Sequence, residues 1–505
     1  MTNDVSVPSS NNDRARNIVQ GMGSLTAQNL ASALLGVVFQ IALIRLLSHT
    51  QYGVYSGLLV VVTIAGTVAT LGLNQSVARY LAFLQRDNEA TSWVAARKIV
   101  YLALVLTAVV TVIYSAITPE LSLFFSKSTH FTGAFLLAGV WLFLTPLSGV
   151  CQGIVQGLRR YTLLAKMLFV PRVVMVVFAV ALVFFFRSVS VAVIAWVLYS
   201  AIIAVWALGF SGSKLFTSKG EFRYSTILKY TYPLGVASTI TIVASSADLV
   251  VVAGYLNPIS LGVYNVAVTI SSVLTTLFVT PLITPLLPEL SSSIKEDEIS
   301  NGMRLAFRFL LLGVLPGSFL FAAVSKQLVD FFSGGGVYLT GSSSLELIAI
   351  FYVFYGIQSI LVIMFQAIGK TVYAMIVGLA TAATDIGISV VLVPRIGLLG
   401  AASAKVSVAI VGAILALYLG KSFLGKLGHL SFYSKSILAA VIPFSVTYAL
   451  SYYVSIQVVT LVPYAVVFVV VFLLCVKQFK LLTDEDRAFI THLIPKILHR
   501  LIGHL

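Results

Sequence analysis

Charge is scarce in this chain: Asp, Glu, Lys and Arg together make up 10% of its 505 residues, against roughly a quarter in soluble domains. That excludes a soluble globular enzyme. Acid is scarcer than base, with 17 Asp and Glu against 32 Lys and Arg. No carboxylate occurs between Asp13 and Asp87, or between Glu120 and Glu221. Cysteine is nearly absent, and Cys151 and Cys475 both lie in apolar runs, which excludes a metal cluster and a disulfide framework. His49, His130 and His429 fall in loops and the other three histidines in the C-terminal tail, without metal-ligand spacing. Gly369, Lys370 and Thr371 look like the end of a phosphate-binding loop, but Met364 stands where the first glycine is required, so ATP hydrolysis is not encoded. No cofactor is expected.

What the chain does have is apolar length. At 59% hydrophobic and a mean hydropathy of +1.01 it reads as an all-α integral membrane protein. Apolar runs fall at 24–46, 55–79, 98–117, 131–156, 163–186, 189–210, 229–254, 262–288, 305–325, 343–367, 372–393, 397–420, 435–454 and 458–476, which predicts about 14 transmembrane helices. The net charge of +15 invites a nucleic-acid reading, but the basic residues are scattered between spans rather than massed on one face. They sort by side instead. With the N-terminus inside, the outer loops take only Arg45, Lys127, Arg187, Lys326 and Arg395, a bias of roughly five to one that predicts a cytoplasmic-membrane protein with both termini cytoplasmic.

An internal repeat divides the spans. Gly53, Val54 and Tyr55 match Gly262, Val263 and Tyr264 at an offset of 209, and Gln156 matches Gln366 at 210. Two tandem six-helix lobes follow, in parallel orientation because six is even. The expected organisation is a disordered cytoplasmic tail over 1–20, a first lobe over 21–212, a second over 213–428, two added helices over 429–480, and an amphipathic interfacial helix over 481–505.

Polar residues inside spans are the candidate binding groups. Asn29, Ser32, Gly36 and Gln40 share one face of the first helix, and Ser238, Thr241, Ser245 and Asp248 form the corresponding stripe on the seventh. Such stripes suit either the wall of a water-filled cavity between the lobes or a small-residue packing face; the matched positions favour the cavity. Arg172 lies deep in the fifth span of a lobe without membrane carboxylates, and with Arg45 and Arg79 it suits an anionic ligand. Asp385 and Lys405 lie in consecutive antiparallel spans and are expected to pair, as a structural ion pair or a gate. Pro281, Pro285 and Pro288 interrupt the eighth span as candidate hinges.

In this order, several short motifs carry a resemblance: Arg45 to Ser48 before Tyr52, Gly53 and Tyr55; Leu71 to Leu73 leading to Arg79 and Tyr80; Leu287 to Leu290; and Pro394, Ile396, Gly397 and Gly400 to Ala402. Across residues 15–480 the chain resembles the polysaccharide-export, lipid-linked oligosaccharide flippase branch of the superfamily that also holds the multidrug-and-toxin extruders. The resemblance implies two lobes forming a V around a cationic cavity, alternating access, and a polyprenyl phosphate- or pyrophosphate-linked glycan as cargo. Membrane lipid and glycan-assembly enzymes are the implied partners, and a monomer is expected. A cation-coupled drug or metabolite antiporter is the alternative, disfavoured by the acid-free first lobe. A glycan polymerase or ligase is disfavoured further, because the outer segments 118–130 and 326–342 are short and hold no catalytic grouping. The expectation is a transporter, not an enzyme.

The charge bias is directly testable. Single cysteines introduced beside Lys219 and Lys295 should resist an impermeant thiol reagent added outside intact cells; labelling at either position would reverse the topology.

Overall fold

The computed structural model describes residues 11–84, 89–283, 286, 290, 296–421, 430–453 and 460–482. The elements are α1 (Asn11–Leu46), α2 (His49–Thr70), α3 (Leu73–Leu84), α4 (Glu89–Ala116), α5 (Thr118–Ser126), α6 (Thr132–Gly157), α7 (Tyr161–Phe186), α8 (Val189–Thr217) and α9 (Tyr224–Tyr255). They continue with α10 (Pro258–Leu274), α11 (Glu296–Phe309), α12 (Leu315–Ala323), α13 (Ser325–Ser333), α14 (Ser342–Ala367), α15 (Thr371–Ile396), α16 (Leu398–Gly420), α17 (Leu430–Tyr453) and α18 (Leu461–Gln478). Among the described residues there is no strand, and 14 helices are long and apolar enough to cross a membrane. This is an all-α integral membrane protein.

The helices depart from the hydropathy runs in specific places. The second run is broken: Leu71 and Gly72 take left-handed backbone angles of φ 44° and 73°, so α2 ends and α3 starts anew. Hydropathy is blind to such a break, because leucine and glycine both score as membrane residues. At the N-terminus the helix begins at Asn11, so the second half of the expected tail is helical; Asn11 to Asp13 suit a helix start, and the long apolar run behind them propagates it. Residues 1–10 and 483–505 lie outside the described residues, and with them the rest of that tail and nearly all of the expected interfacial helix.

Two compact units are present, one formed by residues up to Ser246 with Asn257–Gly262, the other by Ala247–Leu256 with residues from Val263 onward. The division therefore falls within α9 rather than in the loop near 212. Interactions internal to each unit explain it. In the first, the Thr231 and Ser76 hydroxyls lie 2.8 Å apart and buried, and a Cβ at Gly235 would stand 2.5 Å from the Leu71 carbonyl oxygen, so α9 meets the α2–α3 break backbone to backbone. In the second, Asp248 on the last turns of α9 is held by α10 and α16, as described below.

The repeat is visible in each unit's own turns. Short helices α5 and α13 follow the third span of each half, both ending in a Phe-Phe-Ser sequence. The turn after α6 places Arg159 at φ 56°, and the turn after α14 places Gly369 at φ 75°; Arg187 and Gly397 match in the same way at 45° and 61°. Helices in lipid gain no hydrophobic drive from touching one another, so close backbone approach through small residues carries the packing. Gly53 is the tightest case, since a Cβ there would run into the Pro258 carbonyl.

Two of the prolines follow widened turns. Thr275–Val279 and Leu310–Val314 are π-helical, and Pro281 and Pro316 follow them. A proline clashes with the carbonyl four residues back, and a π turn moves that carbonyl away. Phe278 of the first π turn packs on Gly317, just beyond the second. Pro285 and Pro288 lie outside the described residues.

Gly53→Ala should destabilise the protein by about 1–3 kcal/mol, the usual cost of overpacking. Thermal unfolding in detergent, followed by the loss of a monodisperse elution peak, measures it; unchanged stability would contradict the packing described.

Candidate functional site

Two polar sites lie at membrane depth, one in each unit. The first is built on Arg172 of α7, just after Pro171. Gly36 on α1 leaves the space for its guanidinium, since a Cβ there would stand 3.0 Å from Arg172 Nη2. Aromatic rings supply the walls: the guanidinium carbon lies 5.0 Å from the Trp196 ring centroid and 5.9 Å from that of Tyr199, both on α8. Trp196 is fixed in turn, stacked on Trp141 at 5.2 Å, edge-on to Phe39 at 6.1 Å, and donating its Nε1–H to the Tyr55 hydroxyl at 3.0 Å.

Arg172 is under-used by its surroundings. Its Nη1 donates to the Met175 sulfur at 3.7 Å, its Nε is buried without a partner, and none of the ion pairs among the described residues involves it. Cation–π contacts offset part of the cost of holding a guanidinium here, about 0.5–2 kcal/mol each. The remaining donors suit a planar or tetrahedral oxyanion. Glu89, the carboxylate that opens α4, does not serve: it pairs with Lys214 at 2.8 Å with both side chains more than half exposed.

The second site centres on Asp248 of α9, which is 0% exposed. Lys405 of α16 reaches its Oδ2 at 2.6 Å, and the Tyr264 hydroxyl of α10 donates to the same oxygen at 2.7 Å. Lys405 therefore pairs with Asp248 and not with Asp385 as the sequence suggested. Depth explains the correction: Asp248 and Lys405 each lie seven residues from the ends of α9 and α16 on one side, roughly 10 Å down, whereas Asp385 lies roughly 16 Å from the end of α15. Asp385 stays buried at 4% exposed, within electrostatic range of both partners, and accepts a 3.3 Å hydrogen bond from Ser389.

The two sites occupy one repeated corner. Phe39, Tyr55 and Trp196 correspond to Asp248, Tyr264 and Lys405 at the same offset of 209 residues as the Gly-Val-Tyr match. In each unit the first residue packs on the third, and the buried tyrosine binds one of the other two. Sequence reading missed Phe39, Tyr55, Trp141, Trp196, Tyr199 and Tyr264, although the offset already on the page would have joined most of them.

The remaining candidates fall outside these clusters. Arg45 is exposed in the last turn of α1, roughly 13 Å along the helix from Gly36. Arg79 is exposed with its guanidinium stacked on Tyr230 at 4.0 Å. Along the first stripe, Ser32 accepts from Gln28 at 2.8 Å, Gln40 accepts from the Tyr52 hydroxyl at 3.3 Å, and Asn29 is exposed. On α9, Ser238, Thr241 and Ser245 each donate to a carbonyl of their own helix. Hydroxyls satisfied in this way need no water, so their polarity alone does not require a wet cavity. Among the described residues no group of three or more His, Cys, Asp or Glu could hold a metal ion.

Residues 42–336 match the family model described as polysaccharide biosynthesis protein. The chain belongs to that family. No curated protein sequence matches it. Among solved structures it is similar to the lipid II flippase MurJ in an inward closed conformation, with a TM-score of 0.74 at 15% identity, over 90% of this chain and 98% of that one. It is also similar to an inward-facing multidrug resistance MATE transporter of the MOP superfamily, at 0.62 and 16% over 78% and 95%. A MOP-superfamily transporter from Pyrococcus furiosus, described as having a binding pocket of reverse polarity, matches at 0.59 and 17% over 81% and 96%. This member of the polysaccharide biosynthesis family thus has the fold of the MOP-superfamily transporters.

The corrected ion pair gives a sharp test. Asp248→Asn or Lys405→Gln alone should cost about 3–5 kcal/mol by leaving one buried charge unpaired. The double variant should recover most of that loss, and Asp385→Asn combined with Lys405→Gln should not. Thermal unfolding of wild type, the three single variants including Asp385→Asn, and the two double variants completes both cycles.

Proposed function

We propose that this member of the polysaccharide biosynthesis family is a flippase that carries a polyprenyl phosphate- or pyrophosphate-linked oligosaccharide across the cytoplasmic membrane, with both termini cytoplasmic. The observation that supports it best is Arg172, a guanidinium at membrane depth, walled by aromatic rings, with an unpartnered buried Nε and no carboxylate bridged to it.

A sugar chain cannot cross hydrocarbon unaided, because each hydroxyl buried without a partner costs about 2–7 kcal/mol. Its lipid tail has no such problem. The protein's task is therefore confined to the head group, and Arg172 offers the phosphate charge-assisted hydrogen bonds at the point where lipid tail and glycan join. Trp196 and Tyr199 are half-buried and present apolar faces with polar edges, the combination a sugar ring can lie against. Alternating access is the mode of movement supported by likeness to MATE transporters solved in inward-facing and outward-facing conformations. Glycan-assembly enzymes would supply and consume the cargo. A drug antiporter needs a carboxylate for a cationic substrate, and none is bridged to the Arg172 site.

Arg172→Gln should lower the rate of translocation in reconstituted vesicles by about 10- to 100-fold, the value of one charge-assisted contact, while the protein still inserts and elutes as wild type. Gain of external-lectin access to a lipid-linked oligosaccharide loaded in the inner leaflet reports the rate. Wild-type translocation by this variant would overturn the assignment, as would efflux of cationic dye in the absence of any glycolipid movement.

A further inference from the structure

The linker between the repeat halves, residues 218–223, runs from α8 to α9 beside a basic pocket. It is strapped down at both ends. Arg97 of α4 donates to the Phe216 carbonyl at 3.3 Å, Lys98 to the Phe222 carbonyl at 2.6 Å, and the Tyr80 hydroxyl of α3 to the Thr226 carbonyl at 2.9 Å. The Phe222 ring stands edge-on to Tyr80 at 5.3 Å. All of these groups belong to the first unit. The pocket is open, about 700 Å³ in volume, and lined by Lys98, Arg223, Ser225 and Thr226. Its one acid is the exposed Glu221. Two exposed cations adjoin it: Lys229, one turn further along α9, and Arg79, stacked on Tyr230 at 4.0 Å. Among the described residues no carboxylate is bridged to Arg79, Lys98, Arg223 or Lys229.

What separates this pocket from an ordinary solvated face is what lies below it. The third and seventh apolar runs begin here, at 98 and 229. Along α4, Tyr101, Val105 and Val109 form one exposed apolar face, and along α9 Tyr224, Leu228 and Tyr232 form another. Cations and hydroxyls at the rim, with apolar faces running down from them, match an amphiphile with a charged head. A soluble polyanion would use the rim alone.

We propose that this pocket holds the phosphate headgroup of an anionic phospholipid, with its acyl chains along the two apolar faces. Basic pockets between membrane helices suit such headgroups. Lys98 gives one of its three donors to the Phe222 carbonyl and has the others to offer, with the Tyr224 ring 4.8 Å from its ammonium. The Arg223 guanidinium and the Ser225 and Thr226 hydroxyls complete the contacts, while Arg79 and Lys229 add attraction at longer range. The lipid thereby ties the strapped linker to the bilayer surface. The inference depends neither on the cargo assigned above nor on which side of the membrane the linker faces.

Native mass spectrometry of the full-length protein, released from nanodiscs of phosphatidylglycerol and phosphatidylcholine in equal parts, tests it. Wild type should retain phosphatidylglycerol in preference to phosphatidylcholine. Arg223→Gln should cut that preference about fivefold, the worth of one cation near a membrane surface. Combined with Lys98→Gln it should bring the two lipids near parity. Arg223 is exposed, so its single variant keeps the test decisive if loss of the Lys98 strap prevents folding. Arg187→Gln, beyond the far end of α7 and at the other membrane face, should leave the preference unchanged. No preference in wild type, an unchanged preference in Arg223→Gln, or an equal fall in Arg187→Gln would overturn the proposal. So would displacement of the lipid by inorganic phosphate at equal concentration, since a free anion would then be the ligand. Failure of glycolipid translocation leaves this lipid count unaffected.

Discussion

Hydrocarbon offers no hydrogen-bond partner, and polar atoms at membrane depth have to find one within the protein or within what it carries. Much of this structure follows from the ways its side chains meet that demand. Serine and threonine return their hydroxyls to the preceding turn of their own helices, as along α9. Trp196 gives its single donor to Tyr55, and Tyr264 gives its hydroxyl to Asp248. Among the buried polar atoms that do not comply, two belong to the sites described above: the Nε of Arg172 and one oxygen of Asp248.

Duplication then made two sites from one plan. The corner formed by the first, second and sixth spans of each half keeps its buried tyrosine beside a contact between two other helices, while the residue types of that contact diverge. Aromatic rings in the first unit form a low-polarity wall around a neighbouring arginine, where an oxyanion has little competition from water. In the second unit the same positions became an aspartate and a lysine.

Most span ends were legible in the sequence to within a few residues, since a helix in lipid must stay apolar over its whole crossing and hydropathy measures little else; the polar first turns from Asn11 and Glu89 were not. The repeat was legible from three residues, Gly53 to Tyr55, because a backbone contact as close as that at Gly53 tolerates no other side chain. The break at Leu71 was not, as its cause is a left-handed leucine opposite Gly235, more than 160 residues away in sequence. Lys405 was correctly marked as unusual and wrongly partnered: adjacency in sequence favoured Asp385, while depth favours Asp248. The aromatic wall around Arg172 was invisible for a different reason, because Trp and Tyr within an apolar run read the same whether they face lipid or line a pocket. Candidates chosen for polarity alone, such as Thr241 and Ser245, bond to their own helix.

The two π turns bear on how this family can change length. Each holds one residue more than a regular helical turn would, and the surplus is absorbed locally rather than shifting the faces of the whole span. Elsewhere in a packed membrane helix, inserting or deleting a single residue rotates everything beyond it by about 100° and sends buried groups toward lipid. At Thr275–Val279 and Leu310–Val314 a deletion would instead restore an ordinary turn and leave the flanking faces in register. Single-residue gaps between relatives should therefore collect at these two places, where a frame that is otherwise intolerant of length change has slack.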